Sequence, residues 1–126
     1  MPLNIVLVAV GGAVGSVLRY LVGVWALRLA GPVFPWGTLF VNVTGSFLIG
    51  VTAEFIVRRF GGSVDLRLLL ITGLIGGYTT FSAFTLDALT LLERGNTAAA
   101  LIYIASSVVV SLLAVFAGLV LTRSIV

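Results

Sequence analysis

The stretch Gly73-Leu-Ile-Gly-Gly-Tyr-Thr-Thr-Phe-Ser-Ala-Phe-Thr85 places three glycines and a run of hydroxyl side chains inside a hydrophobic segment. Such residues are poor material for an uninterrupted helix in lipid. Hydrocarbon offers no water to a loosened backbone, so freed carbonyls must face protein, an ion or a wet cavity. Interrupted helices of this kind hold ions in transport proteins. Phe81 and Phe84 lie three residues apart at the exit from the expected break.

Other residues could act on an ion. Tyr103, Ser107 and Ser111 recur at intervals of four and place three hydroxyls on one helical face. A single serine in a span usually bonds back to the preceding turn, but three in register make a polar stripe able to replace water around a moving ion. The stripe ends at Val115. Asn42 offers an amide that serves either a neighbouring helix or a permeating anion. Arg19 stands more than half way along the first apolar segment. It either snorkels toward the Arg28 end or makes a vestibule electropositive.

The composition excludes most alternatives. Sixty per cent of the 126 residues are hydrophobic and 9% charged, with a mean hydropathy of +1.28. This is the balance of an integral membrane protein. All seven basic residues are arginine, and histidine and cysteine are absent. Disulfides, thiol or imidazole metal sites and the commonest acid–base catalyst are thereby removed. Gly76-Gly77 leads into Tyr-Thr-Thr with no lysine, so there is no phosphate-binding loop. An enzyme is not expected. The basic balance fits the charge bias of membrane proteins rather than nucleic-acid binding.

The elements that must position these residues are four membrane-spanning helices, at about 3–29, 36–57, 66–92 and 97–122, each near the roughly 20 residues a bilayer requires. Gly31–Pro35, Arg58–Asp65 and Glu93–Asn96 supply the turns, and no linker marks a second domain. The first segment lacks a basic leader and reads as a retained span rather than a signal peptide. Arg58, Arg59, Arg67 and Arg123 fall on one side of the membrane and Arg28 and Arg94 on the other, a weak bias that permits both orientations. Gly11 and Gly15 form a close-packing GxxxG pair. Glu54, near the second turn, reads as solvated.

Taken in order, Gly11-xxx-Gly15-xxx-Arg19-Tyr20, Trp36-Gly-Thr-Leu-Phe-Val-Asn42, Gly76-Gly-Tyr-Thr-Thr-Phe-Ser-Ala-Phe84, the Glu93-Arg-Gly95 turn and the Tyr103/Ser107/Ser111 stripe resemble the CrcB/Fluc family of fluoride channels. The resemblance covers essentially the whole chain. It implies an all-α membrane protein with a broken third helix, assembled as an antiparallel, dual-topology homodimer with two fluoride pores. Eight helices enclose a pore more readily than four. It also implies a structural sodium ion at the dimer centre, on backbone carbonyls of Gly76 and Thr79. The implied fluoride pathway comprises Asn42, Phe81, Phe84, Tyr103, Ser107 and Ser111, with Arg19 as its electropositive element. The implied function is passive export of toxic fluoride across the cytoplasmic membrane.

Three positions depart from the family pattern. Ala83 lacks a hydroxyl, Tyr78 is larger than usual beside the sodium carbonyls, and Val115 truncates the stripe. One alternative is a proton-coupled transporter like the small multidrug-resistance proteins, which need a glutamate in the first span. Here that span has no acid. A non-transporting assembly subunit would leave the segment from Thr79 to Phe84 without a purpose.

Overall fold

The computed structural model describes residues 1–126 and is helical throughout. Helix α1 (Pro2–Ala30) opens on a proline, which suits a first turn whose N–H groups have no partner. Helix α2 runs Trp36–Phe60 and ends at Gly61, whose φ of 60° is the left-handed geometry that glycine adopts cheaply. The third span, Val64–Glu93, is built in pieces. These are a short α3 (Val64–Leu66), a π-helical segment (Arg67–Ile75), a short α4 (Gly76–Tyr78) and α5 (Phe81–Glu93). Helix α6 (Thr97–Ile125) closes the chain, with the Asn96 side chain accepting the Ala99 N–H at its start. Four spans are long and apolar enough to cross a membrane, and their bounds lie within a few residues of those expected.

The break falls where it was expected, but not on the residues expected to make it. Gly73, Gly76 and Gly77 are all helical. The extended residues are Thr79 (φ −89°, ψ 162°) and Thr80 (φ −154°, ψ 126°). Both are β-branched and tolerate extended backbone well. Thr80 then caps the next helix, its Oγ1 accepting the Ala83 N–H at 3.1 Å. Gly73 and Gly77 serve packing against α1 instead. A Cβ on Gly15 would strike the Leu74 carbonyl oxygen and lie 2.8 Å from the Tyr78 nitrogen. Backbone therefore runs against backbone where α1 meets the π segment and α4, as in other glycine seams.

A second seam joins α2 to α6. A Cβ on Gly50 would collide with the Val115 carbonyl, and one on Gly118 with the Phe47 carbonyl. The α5–α6 interface is filled by Phe84, Ala88, Leu91, Ala100 and Tyr103. Phe34, from the first loop, meets Tyr103 edge-on with ring centroids 5.5 Å apart. Arg58 and Arg59 lie in the last turn of α2 rather than in the loop. Glu54 is not simply solvated: it is 15% exposed and shared between Arg58 at 2.8 Å and Arg123 at 3.2 Å, tying the ends of α2 and α6.

Candidate functional site at the break in the third span

Leaving helical geometry at Thr79 and Thr80 strands backbone groups that must be satisfied within the span. Side chains from α1 and α2 meet most of that need. Asn42 donates from Nδ2 to the Thr80 carbonyl at 2.9 Å, and its Oδ1 accepts the Thr80 N–H at 2.8 Å. The amide thus pairs with the extended backbone as a neighbouring strand would. Of the two uses open to Asn42, the helix-to-helix hydrogen bond is the one formed. Arg19 donates from Nε to the Gly77 carbonyl at 3.0 Å, a use that neither snorkelling nor a vestibule anticipates. Its carbonyl partner lets a deep arginine remain in the span.

Three carbonyls at the break, those of Gly76, Tyr78 and Thr79, accept no hydrogen bond. Because the Thr80 N–H is committed to Asn42, Gly76 loses the donor that a continuous helix would supply from position 80. The Thr79 carbonyl accepts no hydrogen bond. Gly76 and Thr79, the positions named from the family resemblance, are among the three, and Tyr78 is one that the resemblance does not name. Neutral oxygens at a helix break suit a hard, singly charged cation, and no cluster of acidic or other metal-ligating side chains competes with them.

Beside the break lies a cavity of about 310 Å³ between α2, the break and α6. Asn42, Phe81, Phe84, Ser107 and Ser111 line it together, with Thr79 and Thr80 at its edge. The Oγ atoms of Ser107 and Ser111 are buried and have no hydrogen-bond partner. Such groups are rare because each costs about 1–3 kcal/mol when left unpaired. The rings of Phe81 and Phe84 lie 5.7 Å apart at 49°. Phe84 is 9% exposed whereas Phe81 is 76% exposed, so one ring is set into the protein and the other stands on its surface.

Tyr103 is not part of this lining. It is fully buried, with its ring 5.2 Å from that of Phe84 and its hydroxyl donating to Asp87 Oδ2 at 3.1 Å. Asp87 lines a second cavity, about 290 Å³, with Thr38, Thr90 and Arg94 toward the turn that follows α5. The Phe84–Tyr103 pair therefore stands between the two cavities. Arg19 lines a third, about 370 Å³, which shares Thr80 with the first.

Sequence reasoning assigned no role to Asp87 or Thr44. An acid within a span needs a partner, and that rule could have directed attention from Asp87 to a nearby hydroxyl. Thr44 gave no signal. It donates to the Phe40 carbonyl at 2.7 Å and meets the Tyr78 hydroxyl at 2.8 Å, a contact that requires the folded chain.

Comparison with known proteins shows the family. The family profile described as CrcB-like protein, Camphor Resistance (CrcB), matches residues 6–119. A protein of Rhizobium meliloti named fluoride-specific ion channel FluC is 66% identical over 123 residues, covering 98% of each chain. One of Rhizobium etli with the same name is 68% identical over 120 residues, covering 95% of this chain and 96% of its own. A third, from Agrobacterium fabrum and again named fluoride-specific ion channel FluC, is 60% identical over 123 residues, with 98% of each covered. With four apolar spans and relatives matched along nearly its whole length, this chain is a multi-pass membrane protein belonging to the CrcB family.

Proposed function

We propose that this protein is a passive, fluoride-selective channel that exports fluoride across the cytoplasmic membrane. The observation that carries the reading is the pair of buried, unpartnered hydroxyls, Ser107 and Ser111, facing a cavity edged by Phe81 and Phe84. A small, strongly hydrated anion loses its water only where donors replace it. Serine O–H groups donate, and the C–H edges of phenylalanine rings carry partial positive charge. Several modest contacts in sequence allow the anion both to be taken up and to be released. Asn42 acts on this path by holding the Thr80 backbone in place, which fixes where Phe81 begins the next helix. Tyr103 supports the Phe84 ring from below.

The working unit in this reading is an antiparallel dimer with two pores. Phe81, 76% exposed beside the cavity, is half of a site that a second copy would complete. Gly76 is exposed as well, which suits a carbonyl facing a partner chain. The free carbonyls of Gly76 and Thr79 are the residues that would hold a sodium ion between the copies. When bound there, the ion supplies fixed positive charge and cross-links the two breaks. Arg19, on the Gly77 carbonyl, adds cationic charge one residue away.

The test is a fluoride-electrode recording of efflux from vesicles containing only this protein, with chloride as control. Rapid fluoride loss without chloride loss, unaffected by a proton gradient, is the expected result. Efflux that requires a proton gradient would replace the channel with a coupled transporter. The absence of fluoride flux would reject both.

A further inference from the structure

We infer that Tyr78 is a positioning residue: its hydroxyl latches the broken segment to α2 and preforms the cation cradle at Gly76 and Thr79. This rests on the proposal that those two carbonyls hold sodium. Thr44 Oγ1 donates its own proton to the Phe40 carbonyl at 2.7 Å, so at the 2.8 Å contact between them the Tyr78 hydroxyl is the donor and Thr44 the acceptor. The ring reaches Thr44 across the face that Gly45 leaves bare. A Cβ on Gly45 would lie 3.3 Å from Tyr78 Cδ2 and would collide with the Thr79 methyl.

With this latch the break is held at three successive points by side chains of other helices. Arg19 grips residue 77, Thr44 grips residue 78 through its hydroxyl, and Asn42 grips residue 80. The Gly76 and Thr79 carbonyls, which flank residues 77 and 78, accept no hydrogen bond. A cation arriving at a cradle already in shape does not have to order it, and apparent affinity scales with the fraction of molecules in the competent geometry. A hydrogen bond of ordinary strength maintains that fraction by about three- to tenfold.

The experiment titrates the unfolding midpoint of the purified protein with sodium chloride, replacing choline chloride at constant ionic strength. Wild type is compared with Tyr78→Phe, Thr44→Val and the double variant. The half-effective sodium concentration is expected to rise about three- to tenfold in each single variant and no further in the double. Half-points equal to wild type, even with lower midpoints in both salts, would overturn the latch while leaving the sodium site intact. A wild-type protein indifferent to sodium would overturn the sodium site and the latch together. Additive shifts in the double variant would show that the two side chains do not act as a pair, and would also overturn it.

Discussion

At the scale of single residues, the site opposes stability to function in a measurable way. Ser107 and Ser111 carry buried hydroxyls without partners. Replacing either with alanine removes an unmet polar group, so Ser107→Ala is expected to leave stability unchanged or raise it by up to about 1 kcal/mol. Fluoride flux should nevertheless fall at least tenfold, because one replacement for hydration is lost. Thermal unfolding and vesicle efflux on the same preparation test this; lower stability with normal flux would show that Ser107 is merely a packing residue. The two phenylalanines differ in a parallel way. Phe84 is packed against Tyr103 and its truncation disturbs the core, whereas Phe81 is open to its surroundings. Phe81→Ile should therefore cut flux by about two orders of magnitude (about 2.7 kcal/mol) while elution from a sizing column stays that of wild type. Flux within twofold of wild type would remove that ring from the path.

At the scale of elements, the third span holds its shape because other helices satisfy its backbone. Asn42 satisfies both polar groups of Thr80, and Asn42→Ala would leave a donor and an acceptor unpaired within the span. The expected cost is about 2–4 kcal/mol, seen as a lowered unfolding midpoint together with lost flux. Ser46, which lines the same cavity but makes no hydrogen bond, should lose under 1 kcal/mol on Ser46→Ala. Equal effects would mean that the amide does not brace the break. The α2–α6 seam makes a separate prediction. Gly118→Val should separate the helices and cost about 1–3 kcal/mol, because the added atoms meet carbonyl and amide groups rather than a movable side chain. Stability equal to wild type would show that the seam can open without loss. The glycines of the third span are helical, and Gly73 and Gly77 face α1, while two threonines carry the extended backbone. Glycine signals both flexibility and close approach, and composition alone does not separate those uses.

At the scale of the whole molecule, the near-balance of arginines between the two faces bears on insertion. Four lie at one end of the spans and two at the other, which gives little preference for either orientation. The chain has no cysteine, so a single introduced thiol reports orientation cleanly. Ser63→Cys, in the turn between α2 and α3, should be modified by an impermeant maleimide to about half from each side of sealed membranes. Complete modification from one side would rule out the antiparallel dimer. In the proposed dimer, the exposed Phe81 and Gly76 beside the break would face the second copy.

The number of spans, their limits to within a few residues and the location of the break were legible along the chain, because hydrophobic length and helix-breaking composition are local properties. The Ser107/Ser111 register was legible for the same reason, as helical periodicity is set by neighbours in sequence, whereas the Tyr103 hydroxyl, expected to extend the stripe, is taken by Asp87. The uses of Asn42, Arg19, Thr44 and Tyr78 were not legible. Their partners lie 38, 58 and 34 residues away, and a side chain with several hydrogen-bonding options takes the one that packing brings within reach. The same holds for Ser107 and Ser111: sequence places them on one face, but only tertiary packing determines that α2 and the break surround that face and leave their hydroxyls buried without partners.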